Sequence, residues 1–316
     1  MSDILRGNNM ALTTNREILN EARKRGYAVG AFNFNNMEFL QAIVEAGEEE
    51  RSPAILAVSE GAVKYAGLPT IVALARSIAG SSKIPFSLHL DHGKDMALIE
   101  KCVEHGFTSI MLDGSEHPFD ENVSLTKEAV KIAKSKGVSV EGELGRLAGI
   151  EDLVSVEERN ATLTDPDEAR RFVDLTGIDS LAVSVGTSHG AYKFKGEAVL
   201  ALERIREIKA KVSVPLVLHG ASGVMDEFVT KAMSFGATLG KPKGVPDESI
   251  KMAIKEGVSK INIDTDLRLA FLAGLRETLS TKPAEFDPRK ILAPGKSLVK
   301  QVVKFKMRLF GSSGAA

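Results

Sequence analysis

The chain has 316 residues, 43% of them apolar and 26% charged, and a net charge of −1 at pH 7. That balance excludes a disordered chain, describes a globular protein with an ample core, and gives no bulk attraction to nucleic acid or an anionic membrane. Cys102 is the single cysteine, so no internal disulfide forms; no apolar run reaches bilayer length and Met1 to Asn9 lacks an apolar signal core, so a cytoplasmic home is expected.

In chain order, Thr14 to Arg25 reads as an amphipathic helix with Ile18, Leu19 and Ala22 on one side. Short apolar runs then recur at Ala28–Phe34, Ala54–Val58, Phe86–Leu90, Ser109–Leu112, Val138–Glu143, Leu181–Val185, Leu216–Leu218 and Ile261–Ile263. Most do not alternate with polar residues, which is the pattern of parallel strands covered on both faces. Helical segments fall between them, at Asp95–His105, Leu125–Ser135, from Asp165-Pro166 onward, Glu197–Val212 and Asp266–Leu279. Eight strands alternating with helices predict an α/β fold, a single (β/α)8 TIM barrel with an N-terminal helix and extra C-terminal helices. An open doubly wound sheet would carry a glycine-rich turn after its first strand, and Phe34-Asn35-Asn36-Met37 is nothing of the kind. One domain is expected over 1–316, with an extension at 1–13, an insertion at 236–247 between strands seven and eight, and a helical tail at 281–316. The connections Gly145–Thr164 and Gly186–Gly196 are long, as lids are. The insertion has no chemical reading from sequence.

Barrel enzymes place reactive groups where strands end. Here those ends carry Asn33, Ser59, Asp91 with His92, Asp113, Glu143, His189, His219 and Asp264. Three of the protein's six histidines are among them, each on a different strand and each followed by glycine. One such imidazole is readily a hydrogen-bonded core or loop residue. Three from different directions suit a zinc ion with an open coordination position. Asp91 adjoins His92 and is placed to act as an acid or base. Asp113 and Glu143 are either ligands of a second cation or structural acids, and Glu151 is either a proton carrier on the fifth loop or a solvated acid. His89 shares a strand face with Asp91, as a structural or supporting imidazole. Gly220-Ala221-Ser222-Gly223 and Asn262-Ile263-Asp264-Thr265 leave strands seven and eight, where barrels bind phosphate on backbone N–H groups and a helix N-terminus. Lys260 is read as lying before strand eight and Lys193 in a loop, so Schiff-base chemistry lacks a nucleophile.

At these residues the chain resembles the class II, zinc-dependent fructose-bisphosphate aldolases. The matching pieces are Leu88-His89-Leu90-Asp91-His92-Gly93, Glu141-Gly142-Glu143-Leu144-Gly145, Gly186-Thr187-Ser188-His189-Gly190-Ala191-Tyr192-Lys193, Leu218-His219-Gly220-Ala221-Ser222-Gly223 and Lys260-Ile261-Asn262-Ile263-Asp264-Thr265-Asp266. The resemblance implies a glycolytic lyase that splits fructose 1,6-bisphosphate reversibly into dihydroxyacetone phosphate and glyceraldehyde 3-phosphate. It implies that His92, His189 and His219 bind catalytic zinc, that Asp91 is the acid/base, and that Asp113 and Glu143 hold a second divalent position. Gly190, Gly220, Ala221, Ser222, Asn262, Ile263, Asp264 and Thr265 would grip the phosphorylated end, beside a monovalent cation (Na+, K+ or NH4+), with Asn33, Ser59 and Lys193 also among the substrate contacts. Where the family often reads Gly-Gly-Glu-Glu-Asp, this chain has Ala148-Gly149-Ile150-Glu151-Asp152, which leaves Glu151 as the second proton carrier. The insertion and the segment Glu285-Phe286-Asp287-Pro288-Arg289-Lys290 resemble a branch seen in thermophilic bacteria as a tetramer. A homodimer or homotetramer is therefore expected, with Arg289 reaching a neighbouring subunit's substrate. A tagatose-bisphosphate aldolase shares every motif; a metal-dependent hydrolase leaves the phosphate loops unexplained, and a scaffold leaves the polar strand ends without purpose.

Overall fold

The computed structural model describes residues 12–145, 148–151, 154–156, 163–189, 200–240 and 242–316, with backbone alone for 148–151, 154–156, 188 and 189. Eight parallel strands close into a barrel in sequential order: β1 (Val29–Asn33), β2 (Ala54–Ser59), β3 (Phe86–Gly93), β4 (Ser109–Leu112), β5 (Ser139–Leu144), β8 (Ser180–Val183), β10 (Leu216–Leu218) and β11 (Val258–Ile263). The fold is the expected (β/α)8 barrel. Outward side chains such as Phe86, Leu88, Leu90, Val140, Leu144, Leu181, Leu218, Ile261 and Ile263 join one large cluster with the surrounding helices. Burial on both strand faces is what makes the runs near-continuously apolar.

Helix α1 (Asn15–Arg25) is set by a capping box between Thr14 and Glu17, and ends at Gly26 in the left-handed conformation, φ 76°. Its Ile18, Leu19 and Ala22 pack with Val29, Ala31, Ile55 and Ala57 of β1 and β2, closing the N-terminal end of the barrel. Between the first strands run α2 (Met37–Glu50), α3 (Glu60–Ala66) and α4 (Leu68–Ala79), which sequence reasoning left unassigned. Helices α5 (Met96–His105), α6 (Phe119–Lys134), α7 (Pro166–Thr176) and α8 (Leu202–Lys211) follow β3, β4, β5 and β8 in the expected places, α6 beginning earlier than its apolar stripe implied.

One expectation needs correction. The fifth and sixth connections are not plain loops. Strands β6 (Ala148–Glu151) and β7 (Val154–Val156) form an antiparallel hairpin, and β6 also pairs in parallel with β9 (Ser188–His189), with Gly149 opposite His189. Backbone hydrogen bonds thus tie the two connections together. The insertion, for its part, runs between α9 (Asp226–Ser234) and α10 (Asp247–Glu256), and its Val245 N–H donates to the Ser222 carbonyl at 3.1 Å.

The chain ends with α11 (Thr265–Thr281) and α12 (Pro288–Leu309). Lys296, Lys300, Lys304 and Arg308 rise along α12 at helical spacing to face Glu45, Glu49 and Glu50 of α2. Helices α11 and α12 touch backbone to backbone at Gly274 and Gly295: a Cβ on Gly274 would lie 2.7 Å from Gly295 N and 2.8 Å from its Cα. Backbone cannot yield as a side chain can. Gly274→Ala is therefore expected to destabilise the protein by about 1–3 kcal/mol, read as a lower urea midpoint at unchanged slope; an unshifted midpoint would mean that the two helices do not approach so closely.

Candidate active site

Alternation along the strands builds the mouth. In β3, Ser87, His89 and Asp91 form the face opposite Phe86, Leu88 and Leu90, and in β5 Glu141 and Glu143 oppose Val140, Gly142 and Leu144. At the C-terminal end this face presents Asn33, Ser59, Asp91, Asp113, Glu143, His219 and Asn262, all buried. Of the polar strand ends singled out from sequence, Asn33, Ser59, Asp91, Asp113, Glu143 and His219 thus share one rim, with Ser59 opposite Asp91 in register and also capping α3.

Asp91 and His92 are consecutive, so in a regular strand they would face opposite ways. His92 instead has φ +49°, and the β3–β4 register shifts between Leu90 and Gly93. That irregularity brings both side chains to the mouth. Gly93 follows because a Cβ there would meet the Met111 carbonyl at 2.6 Å.

Asp91 is held at both oxygens: Asn33 Nδ2 donates to Oδ2 at 2.9 Å and Asn262 Nδ2 to Oδ1 at 2.8 Å. The same Asn262 nitrogen lies 3.2 Å from His219 Nδ1. His219 Nε2 donates to Glu141 Oε1 at 2.8 Å, so the lone pair sits on Nδ1, on the side of Asp91. The His92 and His219 rings meet edge to face, 4.5 Å between centroids. His92 Nδ1 donates to Asp113 Oδ2 at 3.0 Å, and Glu143 Oε2 lies 3.7 Å away. Asp91, His92 and His219 each offer a donor atom within 4.8 Å of the others, as do His92, Asp113 and Glu143.

Carboxylates set the electrostatics here. Burial disfavours charge on His92, but Asp91, the hydrogen bond to Asp113 and nearby Glu143 outweigh it and lift its pKa to about 10. Burial also works to raise Asp113, yet the His92 partnership, with Ser115 and Lys94, holds it well below the usual carboxylate range. Glu143, buried beside Asp113, is pushed well above that range, and among the described residues its Oε2 has no hydrogen-bond partner. Two imidazoles, surplus carboxylates and an orphaned carboxylate oxygen are a donor set that fits a divalent cation.

Sequence reasoning missed what lies beneath. Lys260 does not precede the eighth barrel strand but lies inside β11, pointing into the barrel, where Nζ donates to Glu141 Oε2 at 2.8 Å. Both residues are fully buried. Lys260 Nζ also lies 3.3 Å from His89 Nε2, and His89 Nδ1 is 2.8 Å from Ser109 Oγ, so His89 is part of this buried network beneath the mouth. Burial, then the Lys260 charge, hold its pKa well below the usual value. Glu141 precedes Glu143 by two residues and Lys260 precedes Asn262 by two; a period of two counted back from each strand end would have found them.

The remaining residues are more dispersed. Gly220 (φ +61°), Ala221 and Ser222 leave β10, and Ser222 Oγ accepts from Asp264 N at 3.4 Å, so the loops after β10 and β11 do meet. Thr265 opens α11, whereas the Ile263 side chain is in the outer core and only its backbone faces the loop. Arg289 is exposed on the first turn of α12 and pairs with Asp287 in its own segment rather than with the mouth. The backbones of His189 and Glu151 are in β9 and β6, but their side chains, like Gly190 and Lys193, lie outside the described residues.

Three comparisons bear on this geometry. Residues 13–315 match the family described as fructose-bisphosphate aldolase class-II. The fructose-bisphosphate aldolase of Thermus caldophilus is 52% identical over 305 residues, 96% of this chain and 100% of the relative, and that of Helicobacter pylori strain J99 is 49% identical over 303 residues, 96% and 99% of the two chains. The crystal structure of the YdjI aldolase from Escherichia coli K12 aligns with a TM-score of 0.80 at 34% identity, covering 96% of this chain and 99% of that one.

Lys260→Met would leave the Glu141 carboxylate buried without its counter-charge. A loss of about 3–5 kcal/mol is expected in guanidinium unfolding, and an unchanged midpoint would contradict the buried pair.

Proposed function

The chain belongs to the class-II fructose-bisphosphate aldolase family, and on that premise we propose how its own residues cleave fructose 1,6-bisphosphate reversibly into dihydroxyacetone phosphate and glyceraldehyde 3-phosphate. The observation that carries the reading is a carboxylate fixed at both oxygens, Asp91, beside two imidazoles that each have one ring nitrogen held by a buried acid.

His92 through Nε2, His219 through Nδ1, and His189 from the β9 segment would hold the divalent cation that the family implies, zinc being usual. When bound, that ion supplies electrophilic stabilisation of the negative charge developing on the substrate's ketone oxygen. Asp91 takes the proton of the C4 hydroxyl as the C3–C4 bond breaks, and the bonding pair remains on the dihydroxyacetone phosphate half. Glu151 returns a proton to C3, and in condensation the two roles reverse. Asn33 and Asn262 keep Asp91 from rotating away, so proximity is built in before substrate arrives.

Gly190, Gly220 to Ser222 and Asn262 to Thr265 bind the phosphate of the dihydroxyacetone half, next to a monovalent cation, with Ser59 and Lys193 as further contacts. Asp113 and Glu143 offer a second divalent position, supported by the orphaned Glu143 oxygen. Arg289, exposed on α12, serves a neighbouring subunit in a homodimer or homotetramer. Among the described residues no helix is long and apolar enough to cross a membrane.

A coupled cleavage assay tests the reading: activity on fructose 1,6-bisphosphate should vanish with a chelator and return with zinc. Faster cleavage of tagatose 1,6-bisphosphate would overturn the C4 assignment, and product release without carbon–carbon scission would indicate hydrolysis instead. Asp91→Ala is expected to lower kcat by about 10²–10⁴ while bound zinc, measured by atomic emission, stays at the wild-type level. His219→Ala should abolish zinc-dependent turnover, and full activity of that variant without metal would exclude the mechanism.

A further inference from the structure

The loop Gly220–Val224 is gripped from behind by groups outside the mouth. Asp266, fully buried on the first turn of α11, accepts from Gly223 N at 2.9 Å and from Val224 N at 2.6 Å, one carboxylate oxygen each. Those two N–H groups are thereby turned toward Asp266, leaving the earlier part of the loop toward the barrel. Val224 is β-branched and has φ +52°, a conformation that persists only where its surroundings over-determine it.

Asp266 has its own counter-ion. Lys306 of α12 is buried, with Nζ 3.1 Å from Asp266 Oδ2 and 3.6 Å from Asp247 Oδ1 at the end of the insertion. The insertion closes the other side. Val245 N–H donates to the Ser222 carbonyl, and a Cβ on Gly244 would fall 2.2–2.4 Å from the Gly223 and Ser222 backbone. Loop, insertion and C-terminal helix therefore converge on one ammonium group.

We propose that Lys306 is a positioning residue for the phosphate-gripping loop: it holds Asp266 against the Gly223 and Val224 N–H groups and neutralises that carboxylate next to a site for a phosphate dianion. The inference rests on the preceding reading that this loop binds phosphate. Two physical effects combine in it. An uncompensated carboxylate behind the loop would repel an incoming phosphate through a low-dielectric interior. Without Lys306 to hold Asp266, the strained Val224 would also relax and swing the loop's N–H groups out of register. Neither effect touches the reacting carbons, so the cost falls on substrate and transition state alike.

The test uses the full-length, zinc-loaded enzyme. Lys306→Met is expected to raise KM for fructose 1,6-bisphosphate about tenfold, the size of one lost charge-assisted contact, with kcat within about twofold. Inorganic phosphate, titrated calorimetrically, should bind about tenfold more weakly, and zinc content should not change. Lys306→Arg, which keeps the cation, should recover most of the phosphate affinity. Lys306→Gln, which keeps a donor without the charge, should not. Variants that bind phosphate as tightly as wild type would overturn the positioning role and leave the phosphate reading standing. Wild-type enzyme that binds no phosphate would bring down that reading and this proposal together. If neither Lys306→Met nor Lys306→Gln folds, as judged by circular dichroism, the pair is a determinant of the fold and the positioning role is wrong.

Discussion

The mouth of this barrel depends on an ion pair beneath it. Lys260 and Glu141 meet in the barrel interior, both out of reach of water, and Glu141 spends its second oxygen on His219 Nε2. Burying two charges is costly unless geometry and further hydrogen bonds compensate. Here each partner makes additional contacts, Lys260 with His89 and Glu141 with His219 and Ser180. The result is directional. Because the proton of His219 is fixed below, its other nitrogen faces the mouth, and from it the chain of contacts continues through Asn262 and Asp91 to Asn33.

The barrel was legible because its strands are covered on both faces: the apolar runs announce all eight, most to within a residue or two of their ends. The same property hid the interior. A lysine inside an apolar run looks like the boundary of a strand, so from sequence Lys260 reads as lying outside β11 and Glu141 as part of a motif rather than a buried charge. Polar strand ends were readable since nothing about packing calls for Asp91, Glu143 or His219 there. The turn at His92 was not, because a left-handed backbone at a histidine leaves no compositional mark, unlike one at glycine.

Features made by distant pairing were also out of reach. The hairpin β6–β7 lies in a stretch with too few residues for a periodic pattern, and its partner β9 comes more than thirty positions later. What pairs them is geometry at the rim. The insertion takes its meaning from the contact of Val245 N–H with the Ser222 carbonyl, which no local sequence pattern announces. Within the site, the excess of acids is the unifying property: the surroundings that lift His92 to a pKa of about 10 are those that attract a cation more highly charged than a proton.

The position of Lys306 in the chain gives the assembly an order. Every barrel strand is complete by Ile263, whereas Lys306 belongs to α12, the last helix. On a ribosome, where segments emerge from the N-terminus onward, Asp91 and His92 on β3 and His219 just after β10 become available well before the ammonium behind the loop. Closure of the barrel and completion of the support behind the Gly220–Val224 loop are then separate stages in the maturation of a newly made chain.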